Sequence, residues 1–180
     1  QKDDTVLRLS VAARPCPGVV EMLDALLASC TPFVIATTSG KPRVPVCVDT
    51  AGLRRFFKSD DLHIHSGESD FDPPRFKPAP DVYLRAAGSV ARAPGDCIAV
   101  EDSESGVGSA SNAGIGLIVG YVGAGHVAPE RRELHAQKLL AGAKSESGRG
   151  ADLVIEDMRD LLLVVRHFEV QVATACGGGG

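Results

Sequence analysis

The stretch from Cys97 to Gly106, reading CIAVEDSESG, constrains the fold more than any other part of the chain. Cys97-Ile98-Ala99-Val100 run directly into two adjacent carboxylates, Glu101 and Asp102, and a small-residue helical pattern follows through Val107, Gly108, Ala110, Ala113 and Gly114. A short apolar run that stops at polar residues and then turns helical reads as a buried parallel strand. In open α/β sheets, ligands gather beyond the carboxyl ends of such strands. Glu101 and Asp102 are therefore candidate site residues. Hard, adjacent carboxylates suit Mg²⁺, which takes one or two of them with waters and substrate phosphate. The competing reading is that both simply cap the following helix, where acids are also favoured.

The same alternation runs along the chain. Val19, Met22, Leu23, Leu26 and Leu27 fall on one helical face, and Phe33-Val34-Ile35-Ala36 forms a short apolar strand that stops at Thr37-Thr38-Ser39-Gly40. A helix is expected over about Val44 to Ala51 and a weak strand at Leu62-His63-Ile64, before a loop from Ser66 to Phe76 that holds Pro73 and Pro74. After Lys77-Pro78-Ala79-Pro80-Asp81 a helix carries Val82, Tyr83, Ala86, Ala87 and Val90. Further strands are expected at Ile115 to Val119 and Leu153 to Ile155, with helices over Pro129 to Leu140 and Met158 to Phe168. Strands alternating with helices imply α/β architecture: a three-layer α/β/α, mostly parallel, Rossmann-like sheet with right-handed crossovers. The domain expected over residues 14–168 has about the size of one core. Residues 169–180, ending in four glycines, read as a disordered tail.

Composition narrows the partners. A net charge of −4 gives no reason to expect nucleic acid or an anionic membrane. No apolar stretch approaches the length of a membrane span. Cys16, Cys30, Cys47, Cys97 and Cys176 form no CxxC pair, so neither a zinc site nor a disulfide framework is indicated. A reduced, cytoplasmic protein is the expectation. His63 and His65 share a strand face, but without supporting acids they read as solvent-exposed rather than metal-binding, and His126 and His135 likewise lack metal-ligand spacing.

Polar chemistry thus sits at three separate points: Thr37 with Thr38, Lys77, and the pair Glu101 and Asp102. A hydroxyl and nearby N–H groups can hold phosphate oxygens, a lysine can neutralise a phosphoryl group, and carboxylates can hold Mg²⁺. Each also has a structural alternative, Thr37 as a helix cap and Lys77 as a solvated loop lysine.

Taken in order, the segments resemble the haloacid dehalogenase superfamily, above all its β-phosphoglucomutase-like and sugar-phosphatase-like members. Val34-Ile35-Ala36-Thr37-Thr38-Ser39 resembles the second motif, with Thr37 at the phosphate-binding position. Lys77-Pro78-Ala79-Pro80-Asp81-Val82-Tyr83 resembles the third, whose lysine contacts the phosphoryl group. Val100-Glu101-Asp102-Ser103-Glu104-Ser105-Gly106-Val107 resembles the fourth, which coordinates Mg²⁺. The resemblance runs from about Pro15 to Val119 and more weakly to Phe168. It implies a Mg²⁺-dependent phosphatase or phosphomutase of a small phosphorylated metabolite. Thr37 and Lys77 would act in catalysis, Thr38 would help bind phosphate, and Asp102 with Glu101 would hold the metal.

One family motif has no counterpart. The first, an apolar strand followed by DxDGT, supplies the Asp nucleophile and a general acid/base. Asp70-Phe71-Asp72 has the spelling, but Ser66-Gly67-Glu68-Ser69 before it is no buried strand. The family places the motif's strand between those ending at Thr37 and Asp102, with a helical cap after it. Residues 1–13 then read as the end of that cap, and the nucleophile is expected upstream of Gln1. Without that strand, its two neighbours lose backbone partners. A fragment is the first reading, a catalytically inactive family member or binding module the alternative. A dinucleotide site at Gly120-Tyr121-Val122-Gly123-Ala124-Gly125 is a minor one, since its GxxGxG spacing is wrong and no helix follows at once. A receiver-type phosphoacceptor would carry its acids first in the chain, whereas here they come last.

Overall fold

The computed structural model describes residues 10–177. Ser10 to Ala12 are helical, and residues 1–9 of the expected cap remnant lie outside the described residues. The chain then runs α1 (Val19–Ala28), β1 (Ile35–Thr37), α2 (Arg43–Thr50), α3 (Asp60–His63), β2 (Ile64–Ser66) and α4 (Asp81–Ser89). It continues β3 (Ile98–Glu101), α5 (Glu104–Asn112), β4 (Leu117–Tyr121), α6 (Arg132–Ala141), β5 (Leu153–Ile155) and α7 (Leu161–Gly177).

Every strand pairing is parallel, which demands helical crossovers and apolar cover on both faces. The core supplies that cover in two layers. On one face Met22, Leu23 and Leu26 of α1 pack with Leu161 and Val165 of α7 against Ile64, Val119 and Ile155. On the other, Val82 and Tyr83 of α4, Val107 and Ala110 of α5 and Leu139 of α6 pack against Ala99 and Ile118. Helix, sheet and helix make the α/β/α sandwich.

The sheet, however, is in two pieces. β1 pairs with β2, and β3, β4 and β5 form a separate three-stranded sheet in that order. Between the pieces lies a cavity of about 790 Å³, walled by Val34, Ile35 and Ala36 on one side and Ile98, Ala99 and Val100 on the other. Among the described residues, the facing edges of β1 and β3 have no strand partner. This is the position at which the family resemblance implies a further strand.

Local details depart from the sequence reading for identifiable reasons. The first strand starts at Ile35, since the three-residue β2 offers partners only to Ile35, Ala36 and Thr37. Leu62 and His63 are helical, not extended: Ser59 caps the turn by accepting from the Leu62 N–H at 3.4 Å, and β2 begins at Ile64. Gly114 takes φ +72°, which glycine tolerates, and the Gly116 N–H donates to Pro94 O, so β4 starts at Leu117 and runs on to Tyr121. The last helix begins at Leu161 after a turn of 3₁₀ helix, and it reaches Gly177, taking in nine residues read as tail. Cys16, Cys30, Cys47 and Cys97 are free thiols.

His65 is not exposed: only 3% of it is accessible, and neither ring nitrogen has a partner among the described residues. Burial holds its pKa below the ordinary 6.5, against the opposing pull of Asp70. A histidine held neutral by folding stabilises fully above its unfolded pKa and loses that contribution as pH falls through it toward the folded value. The urea midpoint is therefore expected to fall as pH drops below about 6.5, and His65→Phe to flatten that dependence. An unchanged slope in the variant would show that His65 does not carry it.

Candidate functional site

The carboxyl end of β1 places Thr37. Its Oγ1 accepts from the Ser39 N–H at 3.1 Å, and its carbonyl accepts from the Gly67 N–H at 2.8 Å. A hydroxyl that accepts one bond keeps its own proton to donate. Thr37 does not cap α2, where the capping position is Pro42. Thr38 is half-buried next to it.

Lys77 arrives from the opposite direction, on the loop before α4, and its peptide to Pro78 is cis. The loop is fastened to α5 by two side chains: Ser109 Oγ donates to Ala79 O at 2.6 Å and Asn112 Nδ2 to Pro78 O at 3.0 Å. Ser109 is fully buried. The lysine side chain is 9% exposed. Its ammonium donates to Ala36 O at 2.9 Å and to Glu101 Oε1, and lies 5.0 Å from the Tyr83 ring centre. An ammonium carries three donors, so one remains for a ligand. Lys77 is a buried, partnered cation and not a solvated loop residue.

Glu101 and Asp102, adjacent in sequence, face different surroundings. Glu101 is 7% exposed and points inward, where its Oε1 accepts from both Lys77 and the Tyr83 hydroxyl. Burial, then the Glu101 charge, pushes the Tyr83 phenol well above its ordinary value, so it stays a donor. Asp102 leaves its side chain 43% exposed at the strand tip. Neither acid caps α5: Ser103 does, its Oγ accepting from the Gly106 N–H at 3.1 Å. Beside Asp102, Cys16, Tyr121, Ala124 and Met158 enclose a smaller cavity of about 230 Å³.

Two histidines meet Asp102. His135 Nε2, from α6, lies 2.7 Å from Asp102 O, and His126 Nδ1 lies 3.9 Å from Asp102 Oδ2. Spacing could not reveal them, because they come from a loop and a helix far along the chain. Tyr83, Ser109 and Asn112 were equally silent, since helical apolar and small-residue patterns absorbed them.

The remaining motif spellings go elsewhere. Asp70 is a clasp, its carboxylate 2.8 Å from Lys41 Nζ and 3.4 Å from Arg85 Nε, and it accepts from the Ser66 N–H. Burial alone would push its carboxyl up, but Lys41 and the Ser66 N–H bring it below the ordinary value. Gly120 and Tyr121 lie within β4, and no α-helix begins until Arg132, which is not a dinucleotide-binding turn.

For a divalent cation, Asp102 is the open carboxylate at the tip of β3, with His126 Nδ1 3.9 Å away, whereas Glu101 is tied to Lys77 and Tyr83. Among the described residues no cluster of three or more His, Cys, Asp or Glu could hold a metal ion. The donor set still fits Mg²⁺ in part, because that ion is commonly held by one or two carboxylates and completed by water and phosphate.

A model of haloacid dehalogenase-like hydrolases matches residues 2–114. The chain belongs to this family. A probable pseudouridine-5′-phosphatase of Drosophila melanogaster is 38% identical over 109 residues, which is 59% of this chain and 46% of that protein. β-Phosphoglucomutase of Bacillus subtilis is 35% identical over 120 residues, covering 65% and 41% respectively. The crystal structure of a conserved haloacid dehalogenase-like protein of unknown function from Agrobacterium tumefaciens superposes with a TM-score of 0.75 at 29% identity, over 91% of this chain and 65% of that one. The chain thus spans less than half the length of these two curated relatives. No helix among the described residues is long and apolar enough to cross a membrane.

Proposed function

We propose that the chain forms the phosphate- and metal-binding part of a Mg²⁺-dependent phosphatase of small phosphorylated metabolites. What supports this reading is the Lys77 ammonium, which bonds Ala36 O, next to Thr37 at the end of β1, and Glu101 Oε1, next to Asp102 at the end of β3. Thr37 donates its hydroxyl proton to a phosphoryl oxygen, and Thr38 adds backbone and hydroxyl donors beside it. Lys77 presents its remaining N–H to the same group. Asp102 holds Mg²⁺, and Glu101 contributes by fixing Lys77. Bound there, the ion would offset phosphate charge.

The nucleophile in this reading is an Asp outside these residues, on an apolar strand that fills the slot between β1 and β3. Its carboxylate attacks phosphorus, the alcohol leaves with a proton from a neighbouring acid, and water then hydrolyses the aspartyl-phosphate. Return of the phosphoryl group to a bound sugar phosphate would make a mutase instead. Residues 1–13 belong to a cap in the same reading, and the free thiols suit a cytoplasmic location. A phosphate-binding module without turnover is the alternative, favoured by the absence of a DxDGT segment.

The test is Mg²⁺-dependent phosphate release from sugar phosphates and an aryl phosphate. It is run on the chain alone and on the chain joined to an upstream DxDGT strand. The joined protein is expected to turn over, and Asp102→Asn to lower its kcat/KM at least about a hundredfold. Turnover by the chain alone would overturn the placement of the nucleophile. Inertness of both proteins would favour the binding module.

A further inference from the structure

We propose that His135 is a positioning residue for Asp102, holding the tip of β3 so that the aspartate side chain faces outward. The inference rests on the reading of Asp102 as the metal-binding carboxylate, and adds the residue that aims it.

The geometry is specific. Asp102 sits between the end of β3 at Glu101 and the capping residue Ser103, so neither strand pairing nor helix bonding fixes its carbonyl. That carbonyl is instead met from across the sheet by His135 Nε2 at 2.7 Å. A carbonyl oxygen only accepts, so Nε2 must carry the proton. His135 lies one turn before the fully buried Leu139 on α6, which anchors the helix against Val107 and Ile118. The ring is therefore presented by a rigid element. His126 packs edge-on against it, with ring centres 6.4 Å apart at 88°, and its Nδ1 lies on the carboxylate side of the same aspartate. One histidine fixes the main chain of Asp102, and the second stands beside its side chain. Supporting groups of this kind orient metal ligands, and removing one typically costs 10–100-fold in metal affinity.

The test compares His135→Leu, which keeps bulk but loses the donor, with His135→Gln, which keeps an N–H of similar reach. Mn²⁺ affinity is measured by EPR or calorimetry on the 180-residue chain and thermal midpoints are recorded alongside. Long-range ¹H–¹⁵N spectra of the histidine rings report the tautomer. Expected are an Nε2–H tautomer at His135, a loss of about tenfold in Mn²⁺ affinity in His135→Leu, and recovery in His135→Gln. If Asp102→Asn weakens Mn²⁺ but His135→Leu does not, the positioning role falls and the metal assignment stands. If Asp102→Asn leaves affinity unchanged, both fall. If His135→Leu lowers the midpoint, His135→Gln decides: affinity that stays low at a native midpoint overturns the role.

Discussion

Replacing Lys77 by methionine is expected to remove about 3–5 kcal/mol of folding stability, because it leaves Glu101 charged, buried and without its cation. Both side chains are nearly inaccessible, at 9% and 7% exposure. Water cannot take over the lost interaction. Domains of this kind are stable by only about 5–15 kcal/mol, so the loss is a large share of the total and urea denaturation would read it directly. The double variant Lys77→Met/Glu101→Gln separates causes. It removes the stranded charge but keeps an acceptor for the Tyr83 hydroxyl, and most of the lost stability is expected to return. A single variant that loses less than about 1 kcal/mol, the range of an exposed pair, would mean that Glu101 and Lys77 do not form a buried pair.

The second large effect reverses an ordinary rule. Glycine to alanine inside a helix usually stabilises by up to about 1 kcal/mol, and Gly88, with nothing within 4 Å of its missing Cβ, is expected to follow it. Gly106 lies in the first turns of α5, yet a Cβ there would fall 1.7 Å from Glu101 Oε2 and 2.2 Å from its Cδ. Glu101 cannot swing aside while Lys77 and Tyr83 hold it. Gly106→Ala is therefore expected to cost about 3 kcal/mol, as overpacking in a core does, while Gly88→Ala gains. Thermal midpoints of the two variants should move in opposite directions. Parallel movement would disprove the close approach of α5 to the Glu101 carboxylate.

The sequence carried the architecture because its signals are local. Apolar runs ending in polar residues mark β1 and β3, and helical periodicity marks α1 and α4. Spacing also singled out Thr37, Lys77 and Asp102 as candidates, since each stands at the end of an apolar strand or of a loop before a helix. The partition between Glu101 and Asp102 was not legible. Which of two adjacent acids turns inward depends on the pleat of β3 and on Tyr83, a helical residue eighteen positions earlier. His65 read as exposed because period-two alternation cannot say which face of a short strand is covered. His126 and His135 reach Asp102 only through the packing of α6. Length at the chain's end was misjudged for another reason: polar and small residues interrupt the periodicity after Phe168, while the backbone continues as α7.

Lys77 bonds both halves of the broken sheet, Ala36 on β1 and Glu101 on β3. A cation in that place is a latch as much as a ligand. If Lys77 takes phosphate as proposed, any pull on the ammonium acts against the bonds that tie the two sheets together. By reciprocity, a segment that fills the slot and a phosphate held by Lys77 would then change each other's affinity by the same factor. On the proposed function, binding at the mouth of the slot and filling of its interior would be two sides of one equilibrium.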